Sequence, residues 1–330
     1  MTQIRIAIRP AFRMLSALFA GAALLLALVA PADAPAAQYE TLRDVRAGLA
    51  SDPAVVERVG GGTISITFAE GAPGLDRAAA LNWIRGSAQT VSDYFGRFPV
   101  DRVAILVVGT AGSRIEQGTA WGYSGSTIRI SVGRDATAAT YARDWKMVHE
   151  MAHLALPNLP ENQSWALEGS ATYAEPIARA RLGKLTGTQV WEGLLHGLPN
   201  GLPRAGDLGL DQTPTWGRTY WGGALFYFVA DVRIRQATGN RKSLRDAFVA
   251  INRASGGNQA QWTMDRLVAV GDRATGTAVL TMLYAQMGGS ADAPDLDRLF
   301  ADLGVSETDG EIRFNNQAPL VAIRKAITAQ

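Results

Sequence analysis

Cysteine is absent from this 330-residue chain, and histidine is scarce, with three residues. The lack of cysteine excludes disulfide bonds, thiolate metal ligands and cysteine nucleophiles together. A chain of this length can still bury a full hydrophobic core without disulfides, in one large domain or in two. Internal repeats, coiled-coil heptads and low-complexity tracts are missing as well. The composition therefore favours an ordinary globular protein.

The N-terminus has the three parts of a secretory signal peptide. Three arginines lie within the first 13 residues, an apolar run covers residues 14–30, and residues 34–36 read Ala-Pro-Ala. We expect cleavage near Ala36 and a periplasmic or secreted protein. An uncleaved membrane anchor is the alternative, although the run is short for a spanning helix of about 20 residues.

The processed chain has almost no net charge. Residues 1–36 hold three arginines and one aspartate, so the remainder has 29 basic and 29 acidic residues. No basic stripe interleaved with aromatic residues occurs, so we do not expect nucleic acid as a partner. After signal cleavage we also expect no stable insertion into a membrane.

Two of the three histidines belong to one short motif, in which the stretch from His149 to His153 reads His-Glu-Met-Ala-His. On a helix, residues four apart lie on one face with Cβ atoms roughly 5–6 Å apart, so both imidazoles can bind one zinc ion. Glu150 can take a proton from a zinc-bound water without being a ligand. Apolar spacing predicts one amphipathic helix over residues 140–156, ended by Pro157. A packed helix favours a metal site over a chance pair of histidines on a solvated face.

Hydrophobic patterns predict a sheet before this motif and helices after it. Strands are predicted at 63–68 and 103–108, a hairpin over 118–132, a helix over 76–95 and weak helicity over 39–59. The later helices are predicted at 164–182, with Pro176 expected to kink or split it, and at 216–237, 243–254, 264–270, 275–287 and 296–303. We expect the following organisation: a signal peptide at 1–36, a lead segment at 37–62, a sheet-containing lobe at 63–156 that ends in the metal helix, and a helical lobe at 157–330.

A catalytic zinc ion keeps three protein ligands and one open position. Because cysteine is absent and only one further histidine exists, a carboxylate is the economical third ligand. Glu168 lies on the next predicted helix, which a tight turn could bring back beside His153. Its neighbours Trp165 and Tyr173 indicate a packed face, where a carboxylate needs a partner. The alternative is an ordinary exposed glutamate.

These residues resemble the gluzincin metallopeptidases, in particular the aminopeptidase N-like and glycyl-aminopeptidase-like branch. The family pairs the two-histidine motif with a later Trp-x-x-Glu-Gly stretch, which residues 165–173 match. Residues 97–99 (Arg-Phe-Pro) and 219–225 also match. The resemblance implies a thermolysin-like, two-lobe α+β fold, one zinc ion and Glu168 as its third ligand.

Attack on a peptide carbonyl builds negative charge, which zinc and one more donor must share. The resemblance assigns this role to a tyrosine shortly before a glycine, and Tyr220 is the matching position. A core aromatic residue is the alternative for Tyr220. Tyr227 is the second candidate, and His196 is a third, although Gly197 and Pro199 beside it predict a loop.

The chain departs from the aminopeptidases in two places. Fourteen residues separate His153 from Glu168, fewer than that branch usually has. The candidate substrate strand at residues 118–123 also lacks the glutamate with which those enzymes bind a free amine, and Glu116 lies just outside it. Exopeptidase and endopeptidase action, the identity of the substrate and the oligomeric state therefore stay open.

The sequence predicts an exported zinc metallopeptidase that acts on peptide or protein substrates. His149, His153 and Glu168 would hold the metal, Glu150 would be the general base, and Tyr220 would stabilise the oxyanion. Two alternatives remain: a non-catalytic peptide-binding or assembly module that kept the fold, and a zinc hydrolase of a non-peptide bond.

Overall fold

The computed structural model describes residues 38–329, so the predicted signal peptide lies outside the described residues. The described residues form one compact unit, and the predicted domain boundaries at 62/63 and 156/157 stay predictions. Between residues 38 and 329, no helix is both long enough and apolar enough to cross a bilayer.

The described part of the chain contains a mixed sheet and a separate C-terminal hairpin. The strands are β1 (Val55–Val59), β2 (Gly62–Phe68), β3 (Arg102–Thr110), β4 (Ile115–Trp121), β5 (Ser126–Gly133), β6 (Val305–Thr308) and β7 (Glu311–Phe314). The sheet has the order β1-β2-β3-β5-β4, in which β2, β3 and β5 run parallel and both edge strands run antiparallel to their neighbours. Strand β4 therefore has one unpaired edge within the described residues.

Helices make up most of the remaining structure. They are α1 (Leu42–Ser51), α2 (Arg77–Phe95), α3 (Ala138–Arg143), α4 (Lys146–Ala152), α5 (Ser164–Arg181), α6 (Gly187–Gly197), α7 (Gly223–Thr238), α8 (Leu244–Ser255), α9 (Met264–Thr275), α10 (Val279–Met287), α11 (Leu296–Leu303) and α12 (Val321–Ile327). A π-helical segment, Gly217–Gly222, leads directly into α7. The predicted α+β class, with a sheet and a helical part, is confirmed.

The strands and helices at the sheet follow their sequence patterns. Strand β5 is buried at every position, as expected for an inner strand covered on both faces. Helix α2 begins where Asp76 accepts a hydrogen bond from the Ala79 amide at 2.9 Å, and it ends at Gly96, whose φ of 77° suits glycine. The predicted strands at 63–68 and 103–108, the hairpin and the helix over 76–95 are all present.

The prediction of weak helicity over residues 39–59 is wrong for the second half of that segment. Helix α1 ends at Ser51, and β1 then pairs with β2 in antiparallel register. Gly60 and Gly61 make the connecting turn with φ values of 56° and 86°. The β-branched valines of β1 suit a strand, and the neighbouring strand supplies hydrogen bonds that no local pattern encodes.

The single helix expected over residues 140–156 is also wrong, because the chain forms two short helices there. Asp144 interrupts the pattern with extended backbone, and its carboxylate accepts a hydrogen bond from the Met147 amide at 3.1 Å at the start of α4. Beyond α4, the Leu154 carbonyl accepts a hydrogen bond from the Asn258 amide at 3.0 Å. The Ala155 carbonyl accepts one from Asn252 Nδ2 at 2.9 Å. These distant partners end the helix before Pro157 is reached.

Helix α5 was expected to be kinked or split at Pro176, and it is not split: it runs from Ser164 to Arg181. Proline in a helix interior costs roughly 3 kcal/mol. Most residues of α5 are buried, so tertiary packing compensates for the missing backbone hydrogen bond. Helices α6 and α12 and the β6–β7 hairpin were not predicted, although Thr186 and Gln189 form a capping box at the start of α6.

Candidate metal centre

Helix α4 and the residue after it carry the two histidines. His149 and Glu150 lie on the buried face of α4, and His153 follows as its C-terminal cap. The His153 amide still donates to the His149 carbonyl at 3.2 Å, so the i, i+4 geometry of the motif persists. A helix of seven residues is enough to place both imidazoles side by side.

Helix α5 carries Glu168 to the same point. The connection from α4 passes through a short 3-10 turn, Glu161–Gln163, and is anchored where the Asn158 amide donates to the Ala260 carbonyl at 2.9 Å. This anchoring makes the tight turn that the 14-residue spacing required. The structure thus brings together the three residues predicted to bind a metal.

The three donor atoms form a nearly equilateral triangle. His149 Nε2 lies 3.2 Å from His153 Nε2, and Glu168 Oε2 lies 3.4 Å and 3.3 Å from these two nitrogens. Tetrahedral zinc with bonds of 2.0–2.1 Å has neighbouring ligand atoms about 3.3–3.4 Å apart. Two imidazoles and a carboxylate at these separations therefore fit one zinc ion with an open fourth position.

Of the three residues, Glu168 carries the charge that suits a cation, whereas His153 must lose a proton to bind one. Burial lowers the pKa of His149. For His153, burial lowers the pKa too, but the carboxylate of Glu168 outweighs this and raises it to about 9. Burial alone would raise the pKa of Glu168, yet the two imidazoles hold it well below its ordinary value. Glu168 is therefore a carboxylate at neutral pH, and its charge attracts a cation to the three donors.

Glu150 lies against the edge strand of the sheet. A Cβ added at Gly118 of β4 would lie 2.6 Å from both Cγ and Oε1 of Glu150, so only glycine leaves room for this carboxylate. Burial raises the pKa of Glu150 to about 7, although the nearby His153 acts in the opposite direction. A carboxylate with this pKa can take up and release a proton near neutral pH.

Of the three candidates for stabilising the oxyanion, Tyr220 lies beside the candidate metal ligands. Its ring stacks on that of His149, with centroids 6.4 Å apart. Burial raises the pKa of the Tyr220 hydroxyl, and the charges of Glu168 and Glu150 raise it further. The phenol stays neutral and can donate a hydrogen bond. It belongs to the π-helical segment, a local geometry that is frequent at functional sites.

Two glycines let the π-helical segment approach Glu168. A Cβ on Gly169 would lie 2.2 Å from the Gly223 carbonyl carbon, and a Cβ on Gly223 would lie 2.0 Å from the Trp165 carbonyl oxygen. Helix α5 and the start of α7 therefore cross in backbone contact. The close approach of α5 and α7 places Tyr220 beside the carboxylate of Glu168 on α5.

The other two oxyanion candidates lie in different surroundings. Tyr227 is fully buried, and its ring packs against Phe226 and Phe248 with centroids 5.1 and 5.0 Å away. His196 is on helix α6 and not in the loop that we expected, and its Nε2 lies 2.9 Å from Glu307 Oε2. The recorded contacts of both residues are with groups outside the candidate metal centre.

Two tryptophans lie at the site and were not predicted from the sequence as site residues. The Trp145 ring lies 5.4 Å from that of His149, and the Trp216 ring lies 6.3 Å from that of Tyr220. Each tryptophan comes four residues before the site residue that it contacts, so helical spacing could have found both. The role of Gly118 had no local signal.

The arrangement of elements is similar to that of a solved metallopeptidase-family structure. The chain aligns with an aminopeptidase N family protein from Idiomarina loihiensis with a TM-score of 0.56 and 14% sequence identity, covering 76% of this chain and 49% of that one. The chain has an aminopeptidase N-like fold. The aminopeptidase N-like part of the sequence resemblance is thereby supported, and at 14% identity the likeness concerns the fold alone.

A second solved structure is less similar to this chain. An M1 zinc metallopeptidase from Deinococcus radiodurans matches with a TM-score of 0.47 and 17% identity, over 74% of this chain and 53% of that one. This chain spans about half the length of these solved structures. No family model and no curated protein sequence matches the chain.

Proposed function

We propose that this chain is an exported zinc-dependent peptidase with a periplasmic or extracellular site of action. The observation that carries the proposal is the triangle of donor atoms on His149, His153 and Glu168, with edges of 3.2–3.4 Å. A buried general-base candidate, Glu150, adjoins this triangle. The aminopeptidase N-like fold is consistent with peptide hydrolysis.

The chain's own residues would divide the chemistry among them. His149, His153 and Glu168 would hold a zinc ion, and a zinc ion bound there would supply a Lewis acid that polarises a carbonyl and lowers the pKa of water. Glu150 takes a proton from the attacking water while the water oxygen bonds to the carbonyl carbon. The same carboxyl then gives its proton to the amine nitrogen as the carbon–nitrogen bond breaks.

Tyr220 would stabilise the negative charge that develops on the substrate carbonyl oxygen. Its hydroxyl is neutral, lies beside the charged site residues, and can donate one hydrogen bond. A positioned donor of this kind is worth about 100- to 1,000-fold in rate in other hydrolases. Such a donor accelerates the reaction because the carbonyl oxygen carries this negative charge in the transition state and not in the bound substrate.

Strand β4 would hold the substrate in an extended conformation. It is an edge strand, its Gly118 touches Glu150, and its unpaired edge offers backbone donors and acceptors. An extended peptide that pairs with this edge would bring its scissile bond to the general base.

A binding or assembly module and a hydrolase of non-peptide bonds are the competing functions. Metal analysis of the purified protein, combined with a peptide-library cleavage assay with and without chelator, separates them. A peptidase gives stoichiometric zinc and chelator-sensitive cleavage. Zinc without turnover of any peptide would favour the module, and turnover of an ester or amide panel alone would favour the third function.

The role of Glu150 as general base can be tested by substitution. We expect Glu150→Gln to retain zinc and to lose about 100- to 10,000-fold in kcat/KM, because the amide cannot accept the proton. Zinc content by atomic absorption and peptide hydrolysis by chromatography give the two readouts. Glu161→Gln, an exposed change on the 3-10 turn, is the matched control and should behave as wild type. Wild-type cleavage by the Glu150 variant would contradict the mechanism.

A further inference from the structure

An aromatic path leads from the candidate metal centre to the protein surface. His149 stacks on Tyr220, and the ring of Tyr220 lies 6.3 Å from that of Trp216, with 31° between the ring planes. Trp216 is 47% exposed, which is unusual for so large an apolar side chain. Trp216 therefore exposes apolar surface to solvent, and only the ring of Tyr220 separates it from the candidate metal ligand His149.

Trp216 also lines a cavity of about 360 Å³. This volume falls in the range of about 300–1,000 Å³ that is typical of small-molecule sites. The cavity lies between the chain at residues 200–207 and the chain at residues 213–218. Trp216 is the residue that links the cavity to the aromatic path, because it lines the cavity and its ring also neighbours that of Tyr220.

The walls of the cavity are held in place by buried polar contacts. Arg218 Nε lies 2.8 Å from Asp207 Oδ2, both side chains are almost fully buried, and Arg218 Nη1 donates to the Gly201 carbonyl at 2.5 Å. Asp211, in the loop between the two walls, accepts hydrogen bonds from Trp165 Nε1 and from the Tyr284 hydroxyl, each at 2.7 Å. The loop is thereby tied to α5, the helix that carries Glu168, and such buried contacts hold a wall in one position.

The wall combines one buried ion pair and apolar surface with the polar side chains of Asn200, Thr213 and Thr215. Asp207 and Arg218 neutralise each other, so neither is available to a ligand. Leu202, Ala205 and the exposed face of Trp216 supply apolar surface. Arg204 also lines the cavity, and it is the wall group that could instead attract a carboxylate.

Resting on the peptidase function proposed above, we propose that this cavity is a specificity subsite for a large apolar side chain, above all an aromatic one, close to the scissile bond of the substrate. The Trp216 ring offers an offset-stacked or edge-to-face partner, and a ligand ring would remove the exposed apolar face from water. Trp216 is then a specificity-determining residue, and Tyr220 links the subsite to the reacting carbonyl.

Binding of small probes tests the subsite without requiring turnover. N-acetylphenylalaninamide, N-acetylalaninamide and N-acetylglutamate amide are titrated against the zinc-loaded protein by ligand-observed NMR. We expect the phenylalanine probe to bind about 10- to 100-fold more tightly than the alanine probe. In Trp216→Ala this preference should fall to within about threefold, while Phe314→Ala, a distant exposed aromatic change, should keep it.

A second variant narrows the cavity and keeps the stacking surface. Ala205→Phe should weaken the phenylalanine probe more than the alanine probe, because it fills the space and leaves Trp216 in place. Equal binding of the phenylalanine and alanine probes to wild type, or an unchanged preference in Trp216→Ala, would overturn the proposal. Tightest binding of the glutamate probe, abolished by Arg204→Ala, would overturn it in favour of a carboxylate site.

Turnover of matched peptides separates this inference from the peptidase function. Peptides that differ in one residue beside the cleavage point (Phe, Leu, Ala or Glu) should show the same ranking in kcat/KM as the probes show in binding. Equal kcat/KM values for the four peptides would contradict the subsite and leave the proposed peptidase function standing. A preserved phenylalanine preference in binding, with no peptide cleaved, would leave the apolar subsite standing and overturn the peptidase.

Discussion

At the residue scale, the environment of Glu150 depends on a side chain that is missing from its neighbour. Gly118 is the point where the edge strand β4 meets the carboxylate, and a Cβ there would lie 2.6 Å from Glu150 Oε1. The glycine removes steric conflict and lets a charged group sit against a strand backbone. Burial of the same carboxylate raises its pKa to about 7, so one close approach contributes both to its position and to its proton affinity.

We therefore expect Gly118→Ala to lower kcat/KM by about 100-fold while zinc content stays near wild type. The reason is displacement of Glu150, since a misplacement of about 1 Å can cost that much in rate. Gly193→Ala is the matched control, because nothing lies within 4 Å of its added Cβ and its activity should not change. Full activity of the Gly118 variant in a peptide assay would show that Glu150 does not need this space.

At the element scale, the site depends on short or irregular helices whose ends are set by distant groups. Helix α4 has seven residues, and Asp144, Asn252 and Asn258 determine where it starts and where the chain turns away. The π-helical segment before α7 turns Tyr220 toward Glu168. Backbone contact of this segment with α5 is possible because Gly169 and Gly223 face each other.

Gly223→Ala should separate α5 from α7 and move Tyr220 away from Glu168. The added Cβ has no space, so we expect a loss of about 1–3 kcal/mol in the free energy of unfolding and a marked loss of kcat. Urea denaturation measures the first and peptide hydrolysis the second. Gly193→Ala again serves as the control, with stability unchanged or raised by up to about 1 kcal/mol. A Gly223 variant as stable and active as wild type would contradict the close crossing.

At the scale of the whole molecule, a bound zinc ion would join α4 and α5 across the 14-residue connection. Its ligands come from both sides of that turn, so metal binding and folding are coupled. Ligand present at 1,000 times its dissociation constant stabilises a fold by about 4 kcal/mol. The metal is thus expected to be a structural as well as a chemical component.

Chelation should lower the Tm of the wild-type protein by roughly 10 °C, and added zinc should restore it. Differential scanning calorimetry at several zinc concentrations measures the shift. His149→Ala should have a lower Tm than the zinc-loaded wild type and should show no response to zinc. A zinc-dependent increase that persists in this variant would mean that the metal binds elsewhere.

Local patterns predicted the elements that are governed by local physics. Alternation located β2, a short apolar run located β3, and the two segments that flank residues 124–126 located the β4–β5 hairpin. Helical spacing with an Asp76 cap located α2. The same patterns failed at residues 140–156 and at β1, where hydrogen bonds come from residues far away in the chain. Residue spacing cannot report such partners, because they exist only after folding.

The sequence by itself determined the chemical types available to the site. Without cysteine, a metal could be held only by histidine and carboxylate donors, and the four-residue spacing of His149 and His153 put two of them on one helical face. Only the tertiary structure decided which carboxylate meets them, which tyrosine lies beside them, and that Gly118 and Trp216 border the site. Helical geometry acts over a few residues and is written in the local sequence, whereas the approach of α5, β4 and the π-helical segment follows from packing of the whole chain.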